Sequence, residues 1–177
     1  LTEDEKRFYT WTLQSHIDLA KAVWLDCCEC KMIDTIAREP LWRHLINYRC
    51  GTGHSVSFVG NVHEGPHALN SRNTTRMRPG MVVTDEPGVY ETDLVGIRIE
   101  NELVCIHKAD NQYGTFLGFE PLTFVPIATS PILPGVLDKD ELAWLNDYHR
   151  QVFAKLAPHL NAEERVWLAE KCASVGC

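Results

Sequence analysis

The sequence contains no apolar run approaching the roughly 18 residues of a membrane span. Its opening stretch, LTEDEKRFYTW, is charged where a secretory leader needs an apolar core. A membrane is therefore not an expected partner. Positive charge is also scarce: 17 Lys and Arg stand against 24 Asp and Glu, a formal net charge of −7. That balance argues against a surface that neutralises phosphates, so nucleic acid is not an expected partner either. There is no internal repeat and no low-complexity tract. The chain lacks an initiating methionine, beginning at Leu1, and the expectation is a piece of a longer protein.

What is present describes a folded unit. At 177 residues and 20.1 kDa, with 45% apolar and 23% charged residues, the chain can bury one ordinary core with a small appended lobe. Its seven cysteines are odd in number and irregularly spaced, which reads as reduced thiols of a cytoplasmic protein rather than a disulfide framework. Cys27, Cys28 and Cys30 crowd the segment DCCECK, but no second ligand pair at zinc-finger spacing follows them.

Thr2 with Glu5 forms a capping-box pattern, and Phe8, Trp11, Ile17, Ala20 and Trp24 recur at helical spacing, predicting a long amphipathic helix through Leu25. The next segment predicts a turn and two short helices, with Pro40 in the first turn of the second. A histidine-containing glycine loop follows. RPGMVVTDEPGVY, GIRIENELVCIH and GTFLGFEP then read as strands separated by Pro-Gly and Gly breaks. Asp138 with Glu141, and Asn161 with Glu164, head two closing helices. In the first of these, Leu142, Trp144, Leu145, Phe153 and Leu156 stand at core spacing.

Strand periodicity sorts the polar residues. Ile97 and Ile99 face one side of GIRIEN while Arg98 and Glu100 face the other, and Val82, Thr84 and Glu86 share one side of their strand. Two neighbouring strands can thus aim Glu86 and Glu100 at one point. Convergent carboxylates need a cation or a shared proton. Isolated, each would be an ordinary solvated strand residue. His54 sits on a loop that Gly51 and Gly53 free for unusual dihedrals. One imidazole with two carboxylates suits Mn²⁺, Co²⁺, Zn²⁺ or Fe²⁺ better than a thiolate-type zinc.

The ordered motifs GTGH, NVHEGP, RPGMVVTDEPGVY and GIRIEN, with GFEPLTFVPI and LAWLNDYHRQVFAKLAP after them, closely resemble aminopeptidase P, the Xaa-Pro aminopeptidases of the M24 or pita-bread metallopeptidases. The resemblance implies an α+β fold. It comprises the second half of a pita-bread domain, a bent antiparallel sheet backed by helices, over residues 1–126, with a helical C-terminal extension over 127–177. It implies metal ligation by His54, Glu86 and Glu100, the last bridging two ions, most often Mn²⁺, with Zn²⁺ or Co²⁺ as alternatives. By the same likeness His63 contacts substrate and assists catalysis, and Glu86 accepts a proton from the attacking water. Arg98 borders the substrate and, with Tyr90, orients the carboxylates. The implied substrates are proline-containing peptides, and the implied assembly is a homodimer through the C-terminal extension.

This chain departs from the family pattern in three places. Two aspartate ligands on a hairpin before the opening helix have no counterpart, since Asp4, Asp18, Asp26 and Asp34 stand too late. The expectation is that they precede Leu1, and that this fragment alone binds metal weakly and is inactive. Cys50 occupies the place of a pocket-lining histidine, and Ser55 and Ser57 stand where glycine is usual. Three readings stay open: a proline-specific metallo-aminopeptidase, an inactive pita-bread domain that binds peptides or proteins, and a related dipeptidase.

Overall fold

The computed structural model describes residues Leu1–Gly176. Two compact units form: Trp11–Thr123, and Leu1–Thr10 together with the chain from Phe124 onward. Helix α1 (Glu3–Ala20) contributes to both.

The larger unit is built on an antiparallel sheet of four strands in the order β1-β8-β7-β4. These are β1 (Val23–Leu25), β4 (Val82–Asp85), β7 (Asn101–Asn111) and β8 (Gly114–Pro121). Strands β7 and β8 form a long hairpin with a register shift between His107 and Ala109. Such a bulge increases the local bend. Leu103 and Cys105 on β7, and Leu117 and Phe119 on β8, alternate inward and are buried. Leu13 and Ile17 of α1 and Ile33, Ala37 and Leu41 of α2 (Cys30–Trp42) add the helical part of the core. Two short hairpins, β2 (Gly53–His54) with β3 (Ala68–Leu69) and β5 (Gly88–Glu91) with β6 (Val95–Arg98), carry the loop residues of interest.

Two elements differ from their sequence reading. The first helix ends at Ala20, and Val23–Leu25 instead pairs with β8, Trp24 standing opposite Leu117 and packing on Phe119 at 4.6 Å between ring centroids. An available strand edge gives those residues ladder bonds that a helix exposed beyond Ala20 could not improve on. The second difference is that Cys30–Trp42 forms one helix, with Pro40 inside its last turn. A proline there removes a single backbone bond, and burial of Pro40 and Leu41 offsets that loss.

In the smaller unit both closing helices carry the expected caps. Asp138 Oδ1 accepts from the backbone N–H of Glu141 at 2.8 Å, and Asn161 Oδ1 from that of Glu164 at 3.0 Å, with each glutamate reaching back. The buried stripe of α3 (Lys139–Leu156) is Leu145, Tyr148, His149 and Val152, while Leu142, Trp144, Phe153 and Leu156 are only half-buried. Tyr148 and His149 are buried because they serve the proline-rich connection. The Tyr148 hydroxyl donates to Val125 O at 3.0 Å, and His149 Nε2 accepts from the Ile127 N–H at 3.1 Å. Burial lowers the His149 pKa and keeps that nitrogen an acceptor. Among the described residues no helix is long and apolar enough to cross a membrane.

Candidate active site

The site begins with a buried ion pair. Arg38 Nε donates to Asp34 Oδ2 at 2.7 Å one turn earlier on α2, both side chains being nearly inaccessible. The rest of the guanidinium donates to Tyr48 O at 2.8 Å and Cys50 O at 2.9 Å, and lies over the Tyr48 ring at 4.2 Å. Thr52 Oγ1 donates to the other Asp34 oxygen and also meets the Tyr48 hydroxyl. The guanidinium thus satisfies two carbonyls of the 48–52 turn, and the carboxylate that holds it also anchors the turn through the Thr52 hydroxyl. Asp34→Ala leaves Arg38 charged and buried without its partner. The expected loss is about 3–5 kcal/mol of unfolding free energy, read by urea denaturation; a loss below about 1 kcal/mol would contradict this account.

From that anchor the chain enters β2, which lies directly against β4. A side chain at Gly53 would place its Cβ 1.8 Å from Thr84 O, so only glycine admits this approach. Thr84 then joins the two strands. Its Oγ1 accepts from the His54 N–H at 2.9 Å and donates to Glu86 Oε1 at 2.8 Å. That bond also shows Thr84 and Glu86 on one side of the strand, as alternation predicts. Beyond Asp85 the strand leaves its partner, and the Glu86 N–H donates to Thr52 O at 2.8 Å.

These constraints gather five of the sequence-predicted residues in one cleft. It has a volume of about 310 Å³ and is lined by Cys50, His54, His63, Glu86 and Arg98 with the glycine loop. His54 Nε2 lies 3.1 Å from Glu86 Oε1, and Arg98 Nη1 pairs with Glu86 Oε2. The His63 and His54 rings meet edge to face at 4.1 Å between centroids. Cys50 Sγ receives Arg98 Nη2 at 3.7 Å and lies 3.8 Å from Gly88 O, while Arg98 also stands over the Tyr90 ring at 5.5 Å. Burial works against the charge of Arg98, but the Glu86 carboxylate, together with smaller contributions from Tyr90 and Cys50, outweighs it and raises the Arg98 pKa.

Glu100 is placed differently. It is exposed and does not line the cleft. Partial burial raises its pKa, and the nearby Glu86 carboxylate raises it further, against the pull of Arg98 and His54. Among the described residues no three His, Cys, Asp or Glu side chains stand together closely enough to hold a metal ion. The donor chemistry nevertheless fits a divalent cation. His54 Nδ1 donates to Ser55 O at 3.1 Å, so in the neutral ring Nε2 turns its lone pair toward Glu86. Two acceptors at that distance repel unless a proton or a cation joins them. Imidazole nitrogen with carboxylate oxygens is a donor set for Mn²⁺, Co²⁺ or Zn²⁺. Within this chain the set is too small to enclose two ions.

The third histidine of the glycine-loop segment and the cysteine cluster lie elsewhere. His67, at the end of the glycine loop, is buried with Nε2 donating to Val82 O at 2.8 Å. Cys27 is exposed, Cys28 half-buried and Cys30 buried. Two residues beside the site escaped the sequence reading: Asp85 and His16, both fully buried, with His16 Nδ1 3.1 Å from Asp85 Oδ2. Burial raises the Asp85 pKa, and His16 pulls it back in part. The available signal was that His16 falls in the Leu13, Ile17, Ala20 stripe, an imidazole at an apolar helical position.

The model of metallopeptidase family M24 matches residues 1–107, and that of the C-terminal region of peptidase M24 matches residues 115–175. Aminopeptidase P2 of Arabidopsis thaliana is 43% identical over 171 residues, 93% of this chain and 24% of that protein. Aminopeptidase P1 of Lotus japonicus is 40% identical over 97% of this chain and 27% of its own length. Among solved structures, the X-prolyl aminopeptidase of Caenorhabditis elegans, described as a cytosolic enzyme with a di-nuclear active site, superposes with a TM-score of 0.93 at 36% identity, over 99% of this chain and 29% of that one. The prolidase of Pyrococcus furiosus gives 0.59 at 26% identity over 70% of this chain and 34% of its own. The chain spans about a quarter of the length of the curated relatives named here.

Proposed function

Because the chain belongs to metallopeptidase family M24, we propose that it is the C-terminal part of an Xaa-Pro aminopeptidase, hydrolysing the bond between an N-terminal residue and a following proline. The observation that carries this reading is the cleft in which His54, His63, Arg98 and Cys50 surround Glu86. Residues 1–126 supply the catalytic half-domain, and 127–177 supply an extension through which two copies pair in the cytoplasm. The bond before proline is a tertiary amide with restricted neighbours, which calls for a dedicated pocket.

His54, Glu86 and Glu100 would hold two divalent cations, Mn²⁺ first among them, together with two aspartates from outside this chain. Bound there, the cations supply Lewis-acid polarisation of the peptide carbonyl and of water. The chain's own residues do the rest. Glu86 accepts a proton on a carboxylate oxygen, and this requires Arg98 to loosen from Oε2. The His63 imidazole, against His54, donates to the developing oxyanion or to the leaving nitrogen. Cys50 and Arg98 border the bound peptide.

Release of the first residue from an Xaa-Pro-Xaa peptide by the full-length protein with added Mn²⁺, abolished by a chelator, is the expected result. No cleavage by intact, metal-loaded protein would sink the proposal. The second reading, a domain that binds peptides without cutting them, is favoured by the Cys50 thiol, which lacks the two ring nitrogens of an imidazole. It predicts calorimetric binding of the same peptide with no product.

A further inference from the structure

The ladder between β4 and β7 ends at the pair Asp85 and Asn101. Glu86 follows the first of these and Glu100 precedes the second, so the two glutamates come next to each other just past the last paired residues. No ladder bond sets their separation, since the Glu86 N–H has turned to Thr52 O. Two carboxylates so placed repel and tend to splay the strand ends.

A buried imidazole spans those ends from behind. His16 of α1 places Nδ1 3.1 Å from Asp85 Oδ2, an ion-pair distance, and its Nε2 lies 3.3 Å from Asn101 Nδ2. An amide nitrogen only donates, so Nε2 accepts and the ring proton sits on Nδ1, facing the carboxylate. The Asn101 amide is held in that orientation by Thr123, whose Oγ1 donates to Asn101 Oδ1 at 2.8 Å. His16, Asp85 and Asn101 are all buried. Alternation along each strand sends their neighbours Glu86 and Glu100 to the opposite face.

We infer that His16 is a positioning residue for the proposed site: facing the Asp85 carboxylate at ion-pair distance on one strand and hydrogen-bonded to Asn101 on the other, it clips the strand ends together and so sets the distance between Glu86 and Glu100. This rests on the metal-site reading above. The clip acts through the backbone of two residue pairs and touches neither substrate nor ligand. Residues that orient ligands in this way typically alter metal affinity or activity by about 10- to 100-fold when replaced.

The test uses the full-length protein, with Mn²⁺ content by mass spectrometry, kcat and KM for an Xaa-Pro-Xaa peptide, and thermal melting. Asn101→Ala removes the β7 arm, together with the bond that Asn101 Oδ1 accepts from Thr123, and leaves His16 facing Asp85. It is expected to hold about one Mn²⁺ where the parent protein holds two, with kcat about 100-fold lower and KM within about threefold. His16→Gln, whose amide can still accept from Asn101 and donate to Asp85, is expected to restore the second ion and most of kcat. A folded Asn101→Ala protein with both ions and unchanged kcat overturns the inference, as does a folded His16→Gln protein that loses the second ion. Should Asn101→Ala fail to fold, the isosteric Thr123→Val frees the Asn101 amide to turn, and Mn²⁺ affinity must then fall about 10-fold; unchanged affinity overturns the inference equally. A parent protein without metal or cleavage instead points to failure of the proposed function itself.

Discussion

Glu86→Gln in the full-length protein is expected to lower kcat for an Xaa-Pro-Xaa peptide by about 10²- to 10⁴-fold, the range of a lost general base. The substitution keeps the size of the side chain, and an amide oxygen can still accept from Thr84 Oγ1. What disappears is the negative charge that both His54 and Arg98 face. Three consequences follow from that single loss. No carboxylate remains to take a proton, the donor set for a divalent cation falls to His54 and Glu100, and Arg98 loses the strongest of the groups that offset its burial. The first two act on chemistry and metal content, and the third acts on the orientation of Arg98 over Tyr90. Circular dichroism melting should show the fold retained, because Arg98 keeps about a third of its side chain in water. A variant with near-parent kcat would remove Glu86 from the proposed chemistry.

Gly53→Ala is expected to lower the unfolding free energy by about 3 kcal/mol, the upper part of the range for overpacking, whereas Gly51→Ala two residues earlier changes it by less than about 0.5 kcal/mol. The contrast isolates one contact. At Gly53 the added Cβ meets Thr84 O at 1.8 Å and Thr84 C at 2.8 Å. Both are backbone atoms of a paired strand, and neither can step aside as a flexible side-chain end would. At Gly51 the nearest atom is Leu69 O at 3.5 Å, an ordinary van der Waals distance. Separation of β2 from β4 also pulls the His54 N–H off Thr84 Oγ1 and draws its ring away from Glu86. Denaturation midpoints for the two variants make the comparison, and equal stabilities would show that the strands part at little cost.

Much of the fold was legible because its signals are local. Capping boxes at Asp138 and Asn161 involve residues three apart, and a chain segment finds those bonds without help from the rest of the protein. The inward alternation of Ile97 and Ile99 is likewise written in a period of two. The misread boundaries are non-local. Trp24 continues the helical stripe of α1 in sequence, and only the edge of β8 makes it a strand residue. Tyr148 and His149 were missed as core because their burial depends on backbone groups of the 122–137 connection, more than ten residues away.

The candidate site divides along the same line. Residue chemistry and order determined which side chains were worth asking about: His54 and His63 on a glycine loop, Glu86 before a Pro-Gly turn, and Arg98 and Glu100 alternating against two isoleucines. Those statements need only covalent geometry and the pleat of a strand. Tertiary structure alone decided which of them meet. Close passage of Gly53 over Thr84 brings His54 to Glu86, while the end of the β4 and β7 ladder leaves Glu100 exposed beside the cleft. It also decided that His16, an unremarked histidine 69 positions before Asp85, is sealed against it, since the burial of a polar pair depends on every element packed around it.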